Sequence, residues 1–241
     1  MRLPAPKLPP ATNLVFAFQG PRVPEGTYNY KVIKGKETFE GTVNLVPDPR
    51  SPHSAEDRKL QQETALELYY MLADLTYLVD SLIEIRDQSK TRAEDLGGKG
   101  GLAGRLEGFA DEADNLRGSL VSTADTGWIS GDEKLREKMG NLFGGVVGYD
   151  GRPTQSQLDR TVVLRGQLEA GQEAFAALTT GRELNQLNSQ LQGKGLESLT
   201  VLSREAWDEE QDKSGSGAAT ASAKELDKEL SSRTWLPIGG F

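Results

Sequence analysis

The sequence predicts an α+β protein that is mostly α, with a short antiparallel β segment in front of an antiparallel bundle of about four helices. Three observations carry this prediction. Apolar and polar residues alternate over residues 26–46, an apolar residue recurs every three or four positions through most of 54–203, and clusters of glycine and proline separate the periodic runs.

Residues 1–12 contain Pro4, Pro6, Pro9 and Pro10, which fix φ and remove backbone donors, so this stretch reads as an extended, poorly ordered linker. Three strand-like runs follow in residues 13–50: NLVFAF (13–18), GTYNYKVIKG (26–35) and ETFEGTVNLV (37–46). Tyr28, Tyr30 and Val32 alternate with Thr27, Asn29 and Lys31. Phe39, Gly41, Val43 and Leu45 alternate with Glu40, Thr42 and Asn44. This is the period-2 pattern of a sheet with one buried face, and Lys34-Gly35-Lys36 forms the turn. The prolines of PDPRSP (47–52) end the sheet.

Helices are predicted across 54–203. Ser54 and Asp57 have the spacing of a capping pair, opening a helix that runs to about Arg92 with Ala65, Leu68, Leu72, Leu75, Val79 and Leu82 along one seam and Met71, Leu78 and Ile85 widening it. GGKGGLAG (97–104) breaks that helix, since each glycine costs roughly 1 kcal/mol of helix propensity relative to alanine. A second helix carries Leu102, Leu106, Phe109, Ala113, Leu116 and Leu120. A third carries Leu135, Met139, Leu142 and Val146 and ends at GYDGRP. Thr154 and Gln157 repeat the capping spacing before a helix with Leu158, Val162, Leu168, Phe175 and Leu178, and Leu184, Leu187 and Leu191 mark a further amphipathic piece. Residues 204–241 read as a flexible acidic and Ser/Gly-rich tail holding one short helix, AKELDKELSS.

Composition narrows the chemistry. The chain has 241 residues, a formal net charge of −8 and an isoelectric point near 4.9, with its Lys and Arg scattered among acids, so the basic stripe expected of a nucleic-acid partner is missing. Cysteine is absent, which excludes disulfides and thiolate chemistry. LVFAF (14–18) is too short for a membrane span or a signal-peptide core, so this stretch predicts neither anchor nor export signal.

His53, the only histidine, lies at a strand-to-helix junction where an exposed loop side chain is the ordinary role, and alone it supplies neither a Ser-His-Asp triad nor a zinc set. Asp111, Glu112 and Asp114, and then Asp208, Glu209, Glu210 and Asp212, read as solvated helix faces rather than a catalytic pair, and DEADNLRG lacks the spacing of a calcium loop. In GGKGGLAG, Lys99 is followed by Gly100 instead of the Ser or Thr of a P-loop, so the segment reads as an interhelical loop. TADTGW (123–128) is two residues short of an Asp-box and lies between predicted helices. Tyr69, Tyr70 and Tyr77 are explained by packing. No catalytic, cofactor-binding or metal-ligating residue is assigned; Trp128 and Tyr149, both in predicted loops, are the candidate contact residues.

The order GPRVPEGTYNYKVIKGKETFEGTVNLVPDPR, a long helix ending LVDSLIEIRDQ, and then YDGRPTQSQLDRTVVLRGQLE resembles the C-terminal region of bacterial sortilin-like proteins with BNR (Asp-box) β-propeller repeats, a glycosyl-hydrolase-like family. Gly26, Tyr28, Gly35, Lys36, Asp48, Pro49 and Arg50 match its strand segment and exit, and Tyr149, Asp150, Pro153 and Thr154 match a later element; the resemblance covers about residues 13–180. It implies that 13–50 is a partial immunoglobulin-like β segment, that any glycosidase carboxylates lie in propellers absent from this chain, and that the parent proteins are exported.

Three readings follow. The first is a non-catalytic C-terminal interaction or scaffolding module whose partner is a protein or a propeller domain. The second is an accessory part of a carbohydrate-active hydrolase that contributes substrate contacts through Trp128 and Tyr149. The third is homo-oligomerisation through an exposed stripe of the first helix. Three strands are too few for an immunoglobulin-like sandwich, which needs about seven, so the remaining strands are expected to be missing, supplied by another chain, or replaced by packing against a helix.

Overall fold

A computed structural model describes residues 1–10, 17, 19–98, 100–123 and 133–214, with backbone alone for 212–214. The fold is α+β and mostly α. Among the described residues, one two-stranded antiparallel sheet, β1 (Gly26–Lys34) and β2 (Glu37–Leu45), precedes six helices: α1 (Ala55–Asp95), α2 (Gly101–Leu120), α3 (Leu135–Val147), α4 (Gln155–Thr180), α5 (Arg182–Gly193) and α6 (Arg204–Ser214). The run 13–18, apart from Ala17, lies outside the described residues, as do Lys99, Trp128 and the tail from residue 215.

The helix starts follow from local chemistry. Ser54 N–H donates to Asp57 Oδ2 at 3.3 Å and Asp57 N–H donates to Ser54 Oγ at 3.1 Å, a reciprocal cap that satisfies donors the first turn of α1 leaves open. Thr154 and Gln157 do the same for α4, at 2.9 and 3.3 Å. The end of α1 is closed by Gly98 N–H donating to Ala93 O at 2.9 Å, and Gly97, Gly98, Gly100 and Gly101 all take positive φ, from +54° to +88°. Side chains disfavour that region, so the glycine cluster is the turn chemistry of a tight helix-to-helix reversal.

The chain divides into two compact units, 1–79 with 116–175, and 80–115 with 176–241. In the first, α1 contributes Ala65, Leu68, Leu72, Leu75, Leu78 and Val79, all buried, against Met139, Phe143 and Val146 of α3 and Leu164, Leu168 and Phe175 of α4. Gln61 Nε2 donates to Val146 O at 2.9 Å and Tyr69 meets Phe143, so α3 runs antiparallel to α1. The Glu67–Arg165 ion pair and the edge-on contact of Tyr77 with Phe175 run in the same order along both chains, so α4 is parallel to α1. In the second unit, Leu82 and Ile85 of α1, Leu106, Phe109 and Ala113 of α2, and Leu184, Leu187 and Leu191 of α5 are buried.

Two features depart from the sequence pattern in this region. The buried stripe of α4 is Thr161, Leu164, Leu168, Gly171 and Phe175, whereas Val162, placed in the stripe by its hydrophobicity, is 58% exposed. A polar residue holds the core position because the Thr161 hydroxyl donates back to Gln157 O at 2.9 Å, and a glycine holds another because a Cβ at Gly171 would sit 2.9 Å from Leu120 Cδ2. The proline-rich start is also packed, with Pro6 and Pro9 buried. Arg136 Nε donates to Pro9 O at 2.8 Å, Thr76 Oγ1 to Lys7 O at 3.1 Å, and Leu3 N–H to Pro21 O at 2.9 Å. Extended proline segments leave their carbonyls free, and donors from α1 and α3 take them up.

Arg136 and Glu137 form a buried ion pair at 2.9 Å, and the second carboxylate oxygen of Glu137 accepts from the N–H groups of Ser122 and Lys134 at 3.3 and 3.1 Å. Residues 204–211, read from composition as part of a flexible tail, belong instead to α6, whose Trp207 is buried and donates from Nε1 to Asp80 Oδ2 at 3.0 Å within the second unit. One aromatic anchor with a satisfied indole N–H outweighs an otherwise polar composition.

Two measurements check this packing. In denaturant unfolding, Leu72→Ala is expected to cost about 2–5 kcal/mol, while Val162→Ala changes stability by less than about 0.5 kcal/mol. Glu137→Ala, which leaves the Arg136 guanidinium buried without its carboxylate, is expected to cost about 3–5 kcal/mol in the same assay.

Candidate functional site

The feature of the first unit that packing does not consume is the β ribbon. Its register pairs Tyr28 with Val43, Tyr30 with Gly41 and Val32 with Phe39 on one face, and Thr27 with Asn44, Asn29 with Thr42, Lys31 with Glu40 and Ile33 with Thr38 on the other. Gly35 at φ +63° opens the two-residue turn, the glycine-first pattern of a type II′ hairpin whose twist matches the strands. Period-2 alternation therefore sorts the ribbon into a mainly apolar and a mainly polar face, with Ile33 on the latter and the Lys34–Glu37 pair on the former.

Alternation predicts that the apolar face is buried; in the structure it is open. Tyr30, Val32, Phe39 and Val43 are 48%, 52%, 53% and 38% exposed, and Val46 just beyond β2 is exposed as well. The Tyr30 ring lies over Gly41, where an added Cβ would meet its hydroxyl oxygen at 2.5 Å. The largest side chain of the face is thus laid down across the sheet, leaving a flat apolar surface bounded by β-branched residues. On the polar face Lys31 and Glu40 pair at 3.6 Å.

The base of the ribbon is pinned to the helices by polar groups. Tyr28 OH donates to Pro24 O at 2.9 Å; Glu25 pairs with Arg58, whose Nη1 donates to His53 O at 2.6 Å; Arg22 pairs with Asp150 at 2.5 Å; and Asp57 meets Arg152 at 3.5 Å. Asp48 accepts from the Arg50 backbone N–H at 2.9 Å and holds its guanidinium through contacts of 2.8 and 3.0 Å, which fixes the Asp-Pro-Arg turn and keeps the Asp48 carboxyl below the usual carboxylate range. Tyr149, 57% exposed, stands edge-on to His53 with ring centroids 5.3 Å apart, and a Cβ at Gly151 would lie 2.5 Å from His53 Cε1. Tyr28, Asp48, Arg50, Tyr149 and Asp150 are therefore joint residues. Their sequence pattern was legible; the long-range partners Arg22, Glu25 and Arg58 left no local signal, because their pairing depends on how the chain folds back.

The remaining candidates separate in space. Asp111 and Glu112 are exposed, Asp114 pairs with Arg86 at 3.0 Å, and Asp208 faces Arg204 at 3.3 Å, so these acids line solvated helix surfaces. Among the described residues no group of three His, Cys, Asp or Glu is placed to hold a metal ion, and no helix is long and apolar enough to cross a membrane. An open cleft of about 420 Å³ in the first unit is lined by Leu116, Leu120, Leu135, Gly171, Lys134 and Lys138 among others, with no carboxylate among the described lining residues to work as acid or base. Trp128 lies outside the described residues.

Asp57 ties the joint to pH through its hydrogen bonds, which gives a test. Hydrogen bonding from Ser54, followed in weight by Arg152, lowers its carboxyl below the usual value. A carboxylate stabilised in the folded state contributes fully above its unfolded value near about 4 and loses that contribution as pH falls through the lower folded value. Thermal unfolding followed by circular dichroism from neutral to strongly acidic pH is expected to show Asp57→Asn less stable than the parent at pH 7, with the difference closing in the acid range. Compared with family models, with curated proteins and with solved structures, the chain matches none.

Proposed function

We propose that the chain is a non-catalytic interaction or scaffolding module that docks through the apolar face of its β ribbon onto the β-sheet of a propeller-bearing, sortilin-like polypeptide. The observation that carries this reading is the open face of Tyr30, Val32, Phe39 and Val43. A two-stranded hairpin is marginal in water without something against its hydrophobic side, and a flat face of β-branched and aromatic residues suits sheet-on-sheet packing about 10 Å away. The joint supports the same reading, because ion pairs and hydrogen bonds at Glu25, Arg58, Arg22 and Asp150 hold the ribbon's base while its face stays open. The resemblance of residues 13–180 supplies the propeller context. Docking through the α1 stripe has no surface to use, since Leu68, Leu72, Leu75 and Leu82 are buried inside the chain.

Val32→Lys with Phe39→Glu tests it, since the two positions face each other across the register and opposite charges keep the pair compatible with the ribbon. Because both residues are exposed, the helical circular dichroism and unfolding midpoint are expected to stay within about 0.5 kcal/mol of the parent. Binding to the propeller polypeptide encoded upstream in the same reading frame, measured by calorimetry, is expected to be lost. Unchanged binding, or an upstream frame without Asp-box repeats, overturns the proposal. Retention on a glycan array that Tyr149→Ala abolishes would replace it with the carbohydrate-contact reading.

A further inference from the structure

Residues 197–200, between α5 and α6, belong to neither helix nor strand, and no strand lies beside them among the described residues; side chains from two helices bond to their main chain instead. Asn188 of α5 donates from Nδ2 to Leu199 O at 3.0 Å and accepts the Leu199 N–H on Oδ1 at 2.7 Å. Gln88 of α1 does the same for the next residue, donating to Thr200 O at 3.1 Å and accepting its N–H at 2.8 Å. Arg92 donates from Nε to Glu197 O at 3.1 Å and pairs with the Glu197 carboxylate at 2.6 Å, and Gln192 Nε2 donates to Ser198 Oγ at 3.0 Å. The positions at which the segment meets α1, Arg92 with Glu197, Gln88 with Thr200 and Asp80 with Trp207, show that it runs antiparallel to that helix. Every residue involved belongs to the second unit.

An amide side chain that both donates to a carbonyl and accepts from the N–H of one residue recognises main chain, and two such amides on consecutive residues recognise an extended backbone whatever its side chains. Selectivity comes from what alternates with them. Leu199 is buried, whereas Thr200 and Glu197 are exposed. The site therefore asks for an extended stretch with an aliphatic side chain at one position and an acid two residues before it, the latter facing Arg92. Part of the hold on the present occupant lies at the surface, beside the part-buried Asn188–Leu199 pair. The Gln88–Thr200 and Arg92–Glu197 bonds are exposed to water, the segment is entered through a turn with Gly195 at φ +74°, and its buried anchors are Leu199 and, in α6, Trp207. Few buried apolar contacts and solvent-exposed hydrogen bonds are the marks of a region that opens locally at low free-energy cost.

We infer that the groove between α1 and α5 is a binding site for an extended acidic-aliphatic peptide segment of a protein partner, and that residues 197–200 occupy it in cis as an autoinhibitory pseudo-ligand. The ribbon plays no part in this site. A partner segment binds when the cis segment is displaced, and its apparent affinity is reduced by the fraction of time the groove is filled.

The probe is a fluorescein-labelled peptide of residues 195–203, GLESLTVLS, titrated by anisotropy into the full chain and two variants. Trp207→Ala loosens the cis segment without touching the amides and is expected to bind the peptide about tenfold or more tightly than the parent. Adding Gln88→Ala and Asn188→Ala is expected to remove that binding, as is replacing the leucine that corresponds to Leu199 by aspartate in the peptide. Equal affinity for the parent and Trp207→Ala, or binding that survives loss of both amides, overturns the inference. The parent chain supplies a second measurement should Trp207→Ala lose its helical circular dichroism. Unlabelled peptide in excess is expected to accelerate hydrogen exchange at the amides of Leu199 and Thr200 of isotopically labelled protein, and unchanged exchange there overturns the inference equally.

Discussion

The uninterrupted apolar stripe of α1 is the constraint on which the rest of the structure depends. From Ala65 through Leu68, Leu72, Leu75, Val79 and Leu82 to Ile85 it stays buried over six turns, and it supplies core to both compact units. A helix of 41 residues gains little from propensity alone; its stability comes from burying this face, with each fully buried leucine contributing about 1.5–3 kcal/mol. Because the stripe is consumed within the chain, the apolar face of α1 is spent on packing, and its polar residues, Gln88 and Arg92 among them, reach other segments.

Those elements are attached by polar groups that would be costly to strand. The Arg136–Glu137 pair is buried, and both partners also bond to backbone, Arg136 to Pro9 O and Glu137 to the N–H groups of Ser122 and Lys134. Such a pair adds little net stability compared with a well-packed apolar substitute, yet breaking it is expensive, so it specifies which way the proline segment runs. Main-chain capture recurs in the second unit, where Asn188 and Gln88 serve as a neighbouring strand would. In both places helix side chains bond to the main chain of a segment outside the helices, Arg136 to Pro9 O and Asn188 and Gln88 to Leu199 and Thr200.

The β ribbon is built on a different balance. Its turn, register and base are well determined, by Gly35, by nine consecutive cross-strand pairs and by the ion pairs around Arg58 and Asp150, while among the described residues the side chains of its apolar face are largely exposed. A protein that had no use for that face would gain by making it polar, as surface hairpins generally are. Order at the base together with exposure along the face is what a pre-shaped docking surface needs, because little conformational entropy is left to lose on binding.

The sequence by itself determined the kind and order of elements. Ser54 with Asp57 and Thr154 with Gln157 marked helix starts, the glycines of 97–101 marked a reversal, and period-2 alternation set the register that sorts Tyr30, Val32, Phe39 and Val43 onto one side. These signals are legible because caps, turns and periodicity act over a few residues. Tertiary structure alone decided which side of α4 is core, where Thr161 and Gly171 displace the more hydrophobic Val162 because of a back-bonded hydroxyl and the room Leu120 needs. It also decided that Pro9 is anchored by Arg136, that Trp207 docks on Asp80, and that the alternating ribbon buries neither face. The places of Gly171, Pro9 and Trp207 rest on contacts with Leu120, Arg136 and Asp80, dozens to more than a hundred positions away, and a local pattern carries no record of what will lie across from it.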